Sequence, residues 1–148
     1  MGNSCPQCGG VLESPADSCA SRFDALLALD HSRQEPWGSR HGSAFAAFAL
    51  QHPAGRSHEA LERCWTLLYR IWITGEDPQA VAQSLRRIPN GDPDHTAVPP
   101  LSADAGAPKS FRVTIADLGE FDAETYPQLL GDWCRATLEA FGVPSTGA

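Results

Sequence analysis

Three of the five cysteines fall within the first nineteen residues, and their spacing is typical of a metal site. Cys5, Cys8 and Cys19 follow the pattern C-x2-C-x10-C. Zinc prefers thiolate and imidazole ligands in tetrahedral geometry. Two cysteines three positions apart, with Pro and Gly around them as in CPQCGG, favour the tight turn of a zinc knuckle. We therefore predict that Cys5 and Cys8 bind zinc and that Cys19 is a third ligand.

A redox role for Cys5 and Cys8 is less favoured. A thioredoxin-like CxxC needs a strand before it and a helix that starts at the second cysteine, whereas Gly9 and Gly10 follow here. The remaining cysteines, Cys64 and Cys134, lie on apolar helical stripes, so we expect them to be small core residues.

The identity of the fourth ligand decides what the metal can do, and histidine is the natural candidate. His41 and His52 share one predicted helix, but eleven residues at 1.5 Å per residue separate them by about 16 Å, so one ion cannot hold both. The ten-residue loop between the first two helices favours antiparallel packing, which places Cys19 beside His52 and makes His52 the preferred fourth ligand. If they are parallel, His41 takes that place, and water is the third alternative.

Helices are the elements that must position these ligands. Ser18 is a plausible N-cap for the first helix, Pro53 ends the second, and Asp77-Pro78 opens the fourth. The third helix has the strongest apolar periodicity, at i, i+3, i+4 and i+7. A short strand or an extended arm is expected over 111–115. The predicted helices span about 18–30, 41–51, 58–74, 78–87 and 124–141.

The predicted fold class is all-α, a bundle of about five helices with an N-terminal CxxC zinc-knuckle lead and a long Pro-rich loop. A length of 148 residues favours a single domain. Its expected parts are the knuckle lead (1–16), helices one to four (17–88), the Pro-rich loop (89–112), and the C-terminal helix with its tail (113–148).

Composition excludes several classes of partner. The net charge of −7 and the pI near 5.1 argue against nucleic-acid binding, which needs clustered Lys and Arg. The same charge argues against binding to anionic membrane surfaces. No apolar run approaches the ~20 residues that span a bilayer. We expect no signal peptide. An odd number of cysteines then favours a reducing compartment, so we predict a cytoplasmic protein.

The chain also resembles a family of small bacterial proteins without an assigned activity. The resemblance covers most of the chain and groups the candidate ligands with other motif residues, but it implies no reaction. The motif residues are Cys5, Cys8, Cys19, His41, Gln51-His52-Pro53, Thr114-Ile115-Ala116-Asp117 and Trp133.

Two classes of function remain open at this point. In the first, zinc has a mainly structural role and fastens the lead to a helical protein whose partner, protein or small molecule, is unknown. In the second, the protein is a small metal-dependent enzyme acting on a small molecule, either at the His52 end of the bundle or near Asp30, His31 and His41. Four protein ligands would favour the structural role, and three protein ligands with a bound water would favour the enzyme.

Overall fold

The computed structural model is a bundle of five α-helices, as predicted, preceded by a short β-ribbon. Two two-residue strands, β1 (Asn3–Ser4) and β2 (Val11–Leu12), pair antiparallel. The helices are α1 (Cys19–His31), α2 (His41–Gln51), α3 (His58–Trp72), α4 (Pro78–Arg87) and α5 (Tyr126–Ala140).

The structure describes residues 3–12, 18–32, 34–87, 98–107 and 109–143. The first part of the predicted Pro-rich loop (89–97), part of the knuckle lead and the last residues of the C-terminal tail lie outside these ranges. In the described part of the loop, Leu101 and Ala105 are buried in the core, so this segment packs against the bundle. No helix in the described ranges is long and apolar enough to cross a bilayer.

The first two helices are antiparallel neighbours, which is the arrangement that decides between the two histidines. Cys19 at the start of α1 lies with His52, the residue that follows α2. At the other end, Asp30 in the last turn of α1 contacts His41 at the start of α2, with 2.9 Å between Oδ2 and Nδ1. The sequence prediction of antiparallel helices is confirmed.

The core lies where α2, α3 and α5 meet. Helix α2 is rich in alanine, and its small side chains let the neighbouring helices approach closely. Leu68 of α3 and Leu130 and Trp133 of α5 are completely buried there. Because these apolar stripes face one another, α2, α3 and α5 form the centre of the core. The same cluster of buried residues continues to Cys8 and Cys19.

Of the two alternatives expected for 111–115, a short strand and an extended arm, the strand is wrong. Residues 111–113 are irregular, and Ile115–Leu118 form a 3₁₀ helix. Side chains satisfy the backbone here in place of a neighbouring strand. The Gln51 amide donates to the carbonyl of Val113 at 2.9 Å, and the Thr114 hydroxyl accepts from the N–H of Ala116 at 3.2 Å. A short alternating pattern does not distinguish such a capped turn from a strand.

Candidate metal centre

The β-ribbon forms a tight turn that holds Cys5 and Cys8. The N–H of Cys5 donates to the carbonyl of Gly10, and the N–H of Gly9 donates to the carbonyl of Cys5, both at 2.9 Å. Gly9 has a φ of +78°, a conformation that glycine adopts without steric cost. The N–H of Gly10 points to the Cys8 sulfur at 3.3 Å. The turn therefore orients the Cys8 sulfur and supplies a hydrogen bond that stabilises a thiolate.

Cys19 reaches the same place from the first residue of α1. Ser18 caps this helix, accepting a hydrogen bond from the N–H of Ser21 at 3.0 Å. The positive end of a helix dipole lies at its N-terminus and stabilises a nearby thiolate. Cys19 is thus a candidate ligand placed by a capped helix.

His52 offers a free imidazole nitrogen to the three cysteines. Its Nδ1 lies 2.9 Å from the carbonyl of Phe48. A carbonyl can only accept, so Nδ1 carries the proton in the neutral ring and Nε2 carries the lone pair. Within the described ranges Nε2 is buried without a hydrogen-bond partner, and burying such an atom is costly. The ring also stacks on Phe48, with centroids 4.1 Å apart, which fixes its orientation.

The four potential ligand atoms converge on one point. The sulfurs of Cys5, Cys8 and Cys19 and an imidazole nitrogen of His52 all lie within 4.8 Å of one another. The sulfurs of Cys8 and Cys19 are 3.7 Å apart, and zinc–sulfur bonds of about 2.3 Å in a tetrahedron place two sulfurs roughly 3.8 Å apart. These residues are therefore close enough to hold a metal ion, and the spacing of the sulfurs suits zinc.

The contact between Cys8 and Cys19 shifts the pKa values of the two thiols in opposite directions. The hydrogen bond with the Cys19 thiol lowers the pKa of Cys8 to about 4, although burial of the sulfur opposes this shift. The same contact, reinforced by burial, raises the pKa of Cys19 above its ordinary value. A metal must displace the proton from Cys19, because only thiolates ligate it.

The knuckle is fastened to the bundle on two sides. The N–H of Ala54, just beyond His52, donates to the Gln7 side chain at 3.0 Å. On the other side Gly10 packs directly against Thr114, so closely that a Cβ at Gly10 would lie 2.5 Å from the Thr114 hydroxyl and 3.1 Å from the Ala116 methyl. These contacts position the cysteines opposite His52.

We expect Gly10→Ala to destabilise the docked knuckle by about 1–3 kcal/mol, the usual cost of overpacking a tight contact. Thr114 is buried and its hydroxyl already caps the 3₁₀ helix, so it cannot rotate away without losing that bond. Urea unfolding of the zinc-loaded protein measures the effect. Gly106→Ala is the matched control, since nothing lies within 4 Å of its new methyl group. Equal stability of the two variants would contradict the prediction.

The predicted carboxylate–imidazole group at the other end of α2 is present as a pair. The side chain of Asp30 is 1% exposed and that of His41 is 43% exposed. The ring of His31 lies 6.5 Å from that of His41. Within the described ranges, Asp30, His31 and His41 do not bring three ligand atoms together as the cysteine cluster does. His41 is therefore bonded to Asp30 and lies away from the cysteines. Of the two histidines considered, the structure brings His52 and not His41 to the cysteines.

This pair predicts a pH-dependent contribution to stability. The hydrogen bond to Asp30 raises the pKa of His41 above its ordinary value, against a smaller effect of burial. When folding raises the pKa of a histidine, its contribution to stability is complete below the unfolded-state pKa of about 6.5. That contribution is lost as the pH rises through the folded-state pKa. Hence His41→Ala should cost more stability near about pH 6 than near about pH 9, measured by urea unfolding beside the wild type. A cost independent of pH would contradict this.

The other residues that the sequence singled out lie away from the site. Cys64 and Cys134 are buried in the core as predicted, and burial raises the pKa of Cys64 to about 11 and that of Cys134 still further. His58 lies 3.5 Å from the carboxylate of Glu62 on the surface of α3.

Three residues support the site through contacts that the sequence did not predict, although Thr114 is one of the motif residues of the resemblance. Gln7 and Thr114 fasten the knuckle to the bundle, and Phe48 holds the ring of His52. These contacts join segments that are distant in the chain, or depend on the exact residue at which a helix ends. A local sequence pattern therefore does not predict them. Gly10, two residues after Cys8, is a signal of close packing in the sequence.

The comparisons with known proteins assign a family to the chain but no function. Neither the comparison with curated proteins nor that with solved structures found a match. One family model, DUF5946, described as a family of unknown function, matches residues 3–142. This range includes the three cysteines and His52, together with all five helices. The chain therefore belongs to the DUF5946 family.

Proposed function

We propose that this is a zinc-binding helical protein in which the metal is mainly structural. The observation that carries the proposal is the buried, unpartnered Nε2 of His52 opposite three cysteine sulfurs. A fourth protein ligand completes a tetrahedron and leaves no coordination position for a substrate or a water molecule. Closed sites of this kind are structural, whereas catalytic zinc sites keep one position open.

The chemistry of the donor set supports the same role. Three thiolates and one imidazole give the ion strong electron donation, so it polarises a bound group less than a site with histidine ligands does. The backbone N–H of Gly10 and the start of α1 stabilise the thiolates. The residues around the ligands thus favour retention of the ion over turnover.

A structural ion would act as a staple between three segments. Cys5 and Cys8 belong to the ribbon, Cys19 begins α1, and His52 follows α2. The ribbon has only two residues in each strand, so a metal that cross-links it to two helices stabilises its attachment. A reducing compartment such as the cytoplasm would keep these thiols available, and we retain that location as part of the proposal.

A metal-dependent enzyme is the second candidate, and the Asp30–His41 pair is the observation that favours it. A carboxylate that accepts from one imidazole nitrogen leaves the other free at a half-exposed position, the arrangement of an oriented general base. The same pair also links the end of α1 to the start of α2, which accounts for it without any reaction. The structural role of zinc is therefore the preferred proposal.

Removal of the metal tests the structural role. Protein purified without a tag should carry about one equivalent of zinc by elemental analysis, and a chelator should lower its unfolding temperature. A structural site adds stability by linkage, roughly 4 kcal/mol at a thousandfold excess of zinc over its dissociation constant. Restored stability on adding zinc excludes damage by the chelator. Absence of zinc after purification, with no tighter binding on titration, would refute the proposal.

A further inference from the structure

The four candidate ligands differ in their access to solvent. Cys8, Cys19 and His52 are buried, with 1%, 6% and 7% of their surfaces exposed. Cys5 is only partly buried. Its neighbours Ser4 and Pro6 are exposed, and so is Val11 on the paired strand. A reagent in solution therefore meets the Cys5 sulfur before it can reach any other ligand.

Cys19 lies between the other two sulfurs. Its sulfur is 3.7 Å from that of Cys8 and also interacts with the thiol of Cys5. All three sulfurs are within 4.8 Å of one another, and a disulfide needs a sulfur–sulfur distance of about 2 Å. Joining Cys5 to Cys19 therefore shortens their sulfur–sulfur distance by at most about 3 Å. The Cys8 sulfur, in contrast, is held by the N–H of Gly10 at 3.3 Å.

We propose that Cys5 is a modification site at which hydrogen peroxide converts the zinc site into a Cys5–Cys19 disulfide and releases the ion. The inference rests on the proposed zinc site, since a cysteine that ligates zinc does so as the thiolate. An exposed thiolate is the form of cysteine that peroxide oxidises. The function added is that of a peroxide-sensitive zinc store or switch.

The chemistry proceeds in two balanced steps. The Cys5 thiolate attacks one oxygen of hydrogen peroxide, the O–O bond breaks, and sulfenic acid and hydroxide form. The Cys19 thiolate then attacks the Cys5 sulfur, forming the S–S bond and expelling a second hydroxide. Two thiolates are oxidised by two electrons and one peroxide is reduced. Cys8 and His52 alone do not complete a tetrahedral site, so zinc leaves.

The two core cysteines provide an internal reference for this reaction. Cys64 is 8% exposed and Cys134 is fully buried, and burial raises the pKa of both thiols. They are protonated at neutral pH and inaccessible, so peroxide should leave them reduced. Selective oxidation of the lead is then distinguishable from unfolding, which would expose all five cysteines.

The experiment treats the zinc-loaded full chain with hydrogen peroxide and follows zinc release with a chromogenic chelator. Differential alkylation and peptide mapping then locate the disulfide. We expect one zinc released per chain, a Cys5–Cys19 disulfide, reduced Cys64 and Cys134, and recovery of zinc binding after dithiothreitol and added zinc. Retention of zinc, or a disulfide between another pair, would overturn the inference.

A variant separates the role of Cys5 from that of the site as a whole. Cys5→His keeps a zinc ligand but removes the oxidisable sulfur, so zinc release by peroxide should slow by at least about tenfold. Release at the wild-type rate would overturn the assignment to Cys5. If Cys5→His does not load with zinc, the wild-type disulfide map decides. If the wild type itself binds no zinc, the proposed function fails, whereas a stable zinc complex that resists peroxide refutes only this inference.

Discussion

Replacing His52 by alanine is expected to weaken zinc binding and to lower the unfolding temperature together. The imidazole is the fourth ligand in the proposed site, and its Nε2 is the buried atom aimed at the sulfurs. Loss of a supporting residue alone costs 10–100-fold in affinity, so loss of a ligand should cost at least about that. Tenfold is about 1.4 kcal/mol, which corresponds to a fall of roughly 3–10 °C for a chain of this size.

His58→Ala is the control for this variant. His58 is a surface histidine whose ion pair with Glu62 is exposed, and such pairs contribute little. Its removal should leave zinc affinity and unfolding temperature near the wild-type values. If His52→Ala kept both the metal and the stability but abolished an activity found by substrate screening, His52 would be catalytic, and the enzyme hypothesis would replace the structural one.

Replacing Cys8 by serine should have the larger effect. Structural zinc binds with about 10–16 kcal/mol in all, so one of four ligands carries roughly 3 kcal/mol, a loss of about 100-fold or more. Cys8 is also the most buried of the three sulfurs, so a serine hydroxyl there is enclosed and cannot replace a thiolate. We expect purified Cys8→Ser to contain little zinc, measured by elemental analysis and competition with a chelator.

Cys64→Ser is the matched control for Cys8→Ser. Both replace a buried cysteine by a hydroxyl, but Cys64 belongs to the α3 face that packs in the core. Cys64→Ser should reduce the stability of the bundle and still bind one zinc. Loss of zinc from both variants to the same extent would show that Cys8 acts through folding and not as a ligand.

The sequence predicted which four residues come together because their positions follow local rules. The CxxC spacing identifies a knuckle, Ser18 announces the helix that begins at Cys19, and Pro53 marks the end of α2 just after His52. The choice of His52 over His41 needed one further step, the antiparallel packing of neighbouring helices joined by a short connection. That step was correct, since Asp30 and His41 meet at the opposite end.

The parts that could not be predicted depend on contacts between distant segments. The expected strand at 111–115 is wrong because Gln51, some sixty residues earlier, satisfies the carbonyl of Val113. The close approach of Gly10 to Thr114 likewise joins residues from opposite ends of the chain. Alternation and propensity describe a segment by itself, and tertiary partners override them.

X-ray absorption at the zinc edge tests the central claim most directly. The measurement counts the atoms bound to zinc and gives their distances in the full-length, tag-free protein loaded with one equivalent. The structural account predicts three sulfurs at about 2.3 Å and one nitrogen at about 2.0–2.1 Å. Two sulfurs with two light atoms, or three sulfurs with an oxygen of water in place of the imidazole of His52, would contradict it.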